Sequence, residues 1–155
     1  MNLASSYNKL DGLLTTLGHW LQCALLLVIR GWWGWSFFLT GKGKLLNLEK
    51  TTAFFTDLGL PLPKLNAILA GGTECVGGLL LLVGLGSRLV SVPLIFTMVV
   101  AYATADKEAL AAIFSDPDKF TSAAPFPFLL ASLIVFAFGP GRFSLDALLF
   151  KKSAK

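Results

Sequence analysis

Four apolar runs, each close to the length needed to cross a bilayer, constrain this chain more than any other feature. They extend from about Leu17 to Leu39, Leu65 to Leu85, Leu89 to Ala105 and Ser122 to Phe138. A hydrocarbon core about 30 Å thick takes ~20 helical residues to cross. Inside lipid a chain must satisfy its own backbone polar groups, which favours helices for runs of this length. Composition agrees. Of 155 residues 55% are hydrophobic and only 14% charged, with mean hydropathy +0.71. A soluble domain carries about 25% charged residues, and one this small leaves much of its surface in water. The expected fold is all-α: an integral membrane four-helix bundle with short interfacial helices, residues 1–155 forming one membrane domain.

The connections fit this plan. Tyr7, Leu10, Leu14 and Leu17 recur at helical steps, so residues 1–18 read as an amphipathic helix, lying on the membrane or extending the first span. Between Thr40 and Lys64, KTTAFFTDLGLPLP predicts a short helix ending at Gly59. Gly86-Ser87-Arg88 predicts a tight hairpin, and KEALAAIF a short helix before the last span. Pro93 falls one turn into the third span, where a helix tolerates it or kinks mildly. Gly139-Pro140-Gly141 stops the fourth span. Ser144 then caps a short interfacial helix over residues 144–150, and Lys151, Lys152 and Lys155 follow.

The net charge of +4 is small, and the basic residues flank apolar runs. That pattern suits membrane lipids as partners and shows no nucleic-acid patch. Cys23 and Cys75 lie inside apolar runs without a CxxC spacing, and His19 is the only histidine. No metal site is expected from that inventory. With four spans the termini share one side with Lys9, Arg88, Arg142, Lys151, Lys152 and Lys155, against Lys42, Lys44, Lys50, Lys64, Lys107 and Lys119 on the other. This balance leaves orientation open by basic residues alone. Six acids on the second side against two on the first lean toward cytoplasmic termini.

Two charges stand inside the spans. Arg30 lies nine residues before the expected end of the first span, and Glu74 nine residues into the second. At 1.5 Å per residue both would lie about 13 Å from one membrane face. Each alone costs about 2.5–3.5 kcal/mol or more to insert. An Arg30–Glu74 ion pair, or a shared polar network, is the expected remedy. Ala67, Gly71, Glu74 and Gly78 share one helix face, and Gly34 follows Arg30 by one turn. Small residues let membrane helices approach closely, so Glu74 is expected to face the bundle interior. The pair either fixes helix register or lines a polar site for a small ligand or proton. Lys42 and Lys44 are expected to anchor to headgroups or to line the mouth of such a site.

Several segments resemble the DoxX family of small bacterial membrane proteins: Arg30 with GWWGWSFFLTGKGKL, AFFTDLGLPLP, ECVGGLLLLVGLGSR and GPGRFSLDALL. The more specific parts are the run from Glu74 to Arg88 and the closing Gly139 to Asp146. The resemblance covers roughly Val28 to Leu149. It implies a four-helix bundle in the bacterial cytoplasmic membrane and an association with redox work, since related DoxD-type subunits belong to a thiosulfate:quinone oxidoreductase. On that analogy Arg30, Glu74 and Arg88 lie at a quinone or small-anion site, with Gly34, Lys44 and Gly78 nearby. No redox cofactor motif is evident. Electron transfer would therefore need a bound quinone, or a partner membrane protein that carries the cofactor. The competing expectation is an accessory subunit, or a self-associating one, within a larger membrane complex.

Overall fold

The computed structural model describes residues 3–150, with side chains from residue 7 onward; the basic tail expected at Lys151, Lys152 and Lys155 lies outside the described residues. Eight helices and no strand occur among them. They are α1 (Leu3–Leu46), α2 (Leu48–Asp57), α3 (Pro63–Val83), α4 (Ser87–Thr104), α5 (Lys107–Ala111), α6 (Pro117–Ser122), α7 (Pro125–Phe138) and α8 (Leu145–Leu149). Helices α1, α3 and α4 are long and apolar enough to cross a membrane. The fourth expected span is shorter. Its expected first residue, Ser122, closes the separate helix α6, and α7 starts at Pro125 with 14 residues, about 21 Å long.

Packing closes these four helices into a ring. Helix α1 packs chiefly on α3 and α4 on α7, while α3–α4 and α1–α7 contacts complete it. Phe37, Leu81, Leu94, Met98 and Val135 form the buried core, one or two from each long helix. Phe128 sets its ring edge against Phe37 and Trp33, at centroid distances of 4.7 and 5.0 Å. The outer faces are apolar too. Leu89 is 81% exposed and Phe96 68%. A surface of this kind belongs in lipid, since soluble monomers rarely expose large contiguous apolar patches.

The amphipathic N-terminal segment and the first span are one helix. At 44 residues α1 is about 66 Å long. Its second half packs on α3, and most of its first half stands clear of the bundle, with Leu10, Leu14, Leu17 and Leu21 exposed. The helix also runs on to Leu46, seven residues past the expected end at Leu39. That extension changes the depth of everything that follows.

The α1–α3 contact is backbone against backbone. A Cβ on Gly41 would lie 2.3 Å from the Cys75 nitrogen and 2.6 Å from the Gly71 oxygen. One on Gly34 would lie 2.9 Å from the Gly78 oxygen, and one on Gly78 2.5 Å from the Phe38 nitrogen. Glycines seven residues apart on each helix thus meet in antiparallel register. The face expected from Ala67, Gly71, Glu74 and Gly78 is buried as anticipated.

The α3–α4 hairpin turns two residues earlier than expected. Gly84 ends α3 in the left-handed region (φ 74°), with Leu85 N–H donating to the Leu80 carbonyl at 2.9 Å, and α4 begins at Ser87. No side chain of α4 itself caps this start. Asp146 does so from α8: its carboxylate accepts from Gly86 N–H at 2.7 Å and Ser87 N–H at 3.0 Å, while its own N–H donates to the Gly84 carbonyl at 2.9 Å. The C-terminal segment is thereby fastened to the hairpin. Ser144 caps α8 as expected, accepting from Ala147 N–H. At the other end Tyr102 stacks on Phe120 and donates to its carbonyl at 2.8 Å, tying α4 to α6. Lys119 donates to Glu108 at 2.9 Å and holds that carboxyl below its usual range. This exposed pair adds little stability.

Two substitutions test these contacts. Gly41→Ala forces α1 and α3 apart and is expected to cost about 1–3 kcal/mol. Gly43→Ala, with open space around its Cα, is expected to stay within about 1 kcal/mol of the parent. Denaturant titration in detergent micelles compares the two. Asp146→Ala removes the cap of α4 and is expected to cost about 1–2 kcal/mol, read in the same titration.

Candidate functional site

The six candidate residues fall into three groups along the α1–α3 contact. Gly34 and Gly78 are the close approach itself. Lys44 and Glu74 lie together to one side of it. Arg30 and Arg88 lie at the opposite end, beside the hairpin and the C-terminal segment.

Glu74 is 1% exposed, within the middle third of α3. Its partner is Lys44, not Arg30: the Lys44 ammonium donates to Glu74 Oε2. The geometry follows from the length of α1. Gly41 faces Gly71 and Cys75, so Glu74 lies level with about Thr40. A helical side chain leans toward its own N-terminus. Lys44, one turn further on, therefore reaches back to the depth of the carboxylate. Lysine in the last turn of α1 also complements the helix dipole. The Lys44 side chain is 31% exposed and that of Glu74 2%. One member of the pair is buried and the other is partly exposed at the surface. Lys44, expected either to anchor to headgroups or to line the mouth of a polar site, is engaged by the buried carboxylate. Lys42 instead lies 6.0 Å from the centroid of the Phe38 ring.

The expected Arg30–Glu74 pair does not form. Arg30 lies against Gly84, ten residues along α3 from Glu74, a separation of about 15 Å. The expectation assumed that α1 ended at Leu39 and that the two spans were level there. The helix runs past Leu39, and the glycine contacts set Glu74 level with about Thr40, ten residues or nearly three turns from the expected Arg30. Arg30 is 1% exposed. Its Nη2 donates to the Phe143 carbonyl, and Nε and Nη1 have no hydrogen-bond partner among the described residues. The acid that acts on it electrostatically is Asp146. Gly84 is required here twice, for its positive φ and because a Cβ would lie 1.7 Å from Arg30 Nη1.

Arg88 is exposed at the same end. It reaches the Ala137 carbonyl at 3.4 Å, and its guanidinium lies beside Gly139. Arg30 and Arg88 are therefore linked to α7–α8 and not to Glu74. Chemically, the Lys44–Glu74 pair offers a hydrogen-bond donor at the surface and a buried carboxylate behind it. Arg30 is built into the joint between α1, the hairpin and the C-terminal segment. Two residues that matter here were not singled out for a site. Gly41 follows Gly34 by seven residues, a spacing matched by Gly71 and Gly78, and that repeat was a readable signal. Asp146 falls in the first turn of its own helix α8, and its capping of α4 depends on a contact distant in sequence. No group of three or more potential metal ligands occurs among the described residues.

Comparison with known proteins agrees with this architecture. The DoxX family model matches residues 25–107, which include Arg30, Lys44, Glu74 and the hairpin. A Bacillus subtilis (strain 168) protein named "Putative oxidoreductase CatD" is 32% identical over 127 residues, covering 81% of this chain and 87% of the relative. No solved structure gives a significant match. A model match over more than half the chain, together with a relative aligned over most of both lengths, establishes that this protein belongs to the DoxX family.

Proposed function

We propose that this protein serves membrane redox chemistry by binding a lipid-soluble electron carrier of the quinone class beside the Lys44–Glu74 pair. The observation that carries this reading is the asymmetry of the pair: a carboxylate buried near the middle of α3, joined to an ammonium that stays partly exposed. Intramembrane ionisable residues are functional candidates by default. Lys44 can donate a hydrogen bond to a quinone carbonyl, and Glu74 can exchange a proton with it. Reduction of a quinone to the quinol takes two electrons and two protons. In this reading the pair relays protons, and the electrons come from a membrane partner that bears a redox cofactor. The oxidoreductase name of the Bacillus relative supports the same direction.

A second reading has its own support. The pair lies beside the glycine contacts, where α1 and α3 come closest. A register-fixing ion pair in an accessory subunit would sit there as well.

Glu74→Gln separates the two. The quinone reading expects the variant to remain assembled, with Lys44 turned toward the headgroups, and to lose co-purifying quinone about tenfold, the size of one charged hydrogen bond. Quinone is extracted from protein purified in mild detergent and quantified per mole of folded protein. Unchanged quinone with a lowered unfolding midpoint would favour the accessory-subunit reading. A parent protein that carries no quinone from native membranes would remove the first reading outright.

A further inference from the structure

A groove of about 600 Å3 opens between the protruding half of α1 and the segment that joins α7 to α8. From α1, Thr16, His19 and Cys23 line it at steps of three and four, hence on one helix face. Gln22 adds an amide. Arg142 lines it from the joining segment, and Leu26 and Phe138 supply apolar wall. No carboxylate lines the groove. Asp146, the nearest acid along that segment, has both oxygens engaged by Gly86 and Ser87 N–H. The groove therefore carries donors and one fixed positive charge with no acid to neutralise it.

Its position adds a second constraint. The groove lies where α7 ends, at the end of the bundle where Phe138, Phe143, Leu148 and Phe150 are exposed. Trp20, also on its rim, is 60% exposed. Tryptophan and apolar side chains beside basic residues mark the depth at which lipid headgroups meet the acyl region. A guanidinium presents a fork of donors that matches phosphate oxygens.

We propose that this groove is a binding site for an anionic phosphate headgroup. Arg142 holds the phosphate, His19 and Gln22 donate further hydrogen bonds, and the apolar chain of a lipid runs along Leu26 and Phe138. The site lies on the Arg30 side of the α1–α3 contact and is independent of the Lys44–Glu74 pair.

Cys23 provides the test, because a ligand in the groove covers its thiol. The chain has two cysteines, so the full-length protein with Cys75→Ala reports on Cys23 alone. Its rate of alkylation by a maleimide is measured in neutral detergent micelles, then with added phosphatidylglycerol, phosphatidylcholine or inorganic phosphate. Phosphatidylglycerol is expected to slow alkylation about tenfold relative to phosphatidylcholine, the size of a charge-assisted contact. Arg142→Gln, at an exposed position, is expected to abolish most of that difference. His19→Phe is expected to weaken it severalfold and stands in if the arginine variant fails to assemble. Protection by phosphatidylglycerol but not by inorganic phosphate identifies a lipid as the source. Equal protection by inorganic phosphate identifies a free anion in the same site. Equal rates in both lipids with no effect of phosphate, or full protection retained in assembled Arg142→Gln, would overturn the proposal.

Discussion

The closeness of α1 to α3 is the constraint on which the remaining structure depends. Glycines at positions 34 and 41 meet glycines at 71 and 78 with no room for a Cβ. In lipid, helices gain little from hydrophobic burial against one another; close van der Waals packing drives their association instead. A backbone contact this tight tolerates few registers. It fixes which residues of the two helices share a depth, and so which charge finds which partner.

The two buried charges are accommodated differently at either end of that contact. Glu74 takes an ammonium that keeps part of its surface exposed, so the ion pair is not wholly withdrawn from its surroundings. Arg30 is enclosed by the hairpin glycine, a main-chain carbonyl and the field of Asp146. Removing one partner from a buried pair costs more than the pair contributes net. Both arrangements therefore resist change, but only the Lys44–Glu74 pair keeps a charged group partly exposed at the surface. That difference directs the functional reading to it.

The C-terminal segment is more than an interfacial tail. Asp146 caps α4, Phe143 accepts from Arg30, and Arg142 faces the protruding half of α1. A segment of a few residues thus joins α1, the hairpin and α7. It also gives the otherwise solitary first half of α1 a polar wall on one side.

Sequence by itself determined the membrane setting, the helical class and the apolar segments, because length and hydropathy decide whether a helix can replace water with lipid. It also revealed the inward face of α3, since glycine and alanine at steps of three and four can serve only a close neighbour. The Ser144 cap and the stop at Gly139 were equally legible, being local chemistry. The partners of the charges were not. Whether α1 stopped at Leu39 or ran to Leu46 could not be read from a stretch in which threonine, glycine and lysine follow an apolar run. The glycine contacts then set Glu74 level with about Thr40, ten residues from Arg30, and Lys44 became its partner. Tertiary structure decided that pairing, the capping of α4 by Asp146 and the groove beside Arg142. Each depends on the relative depth of segments far apart in the chain, and that depth is set by how closely the helix backbones pack.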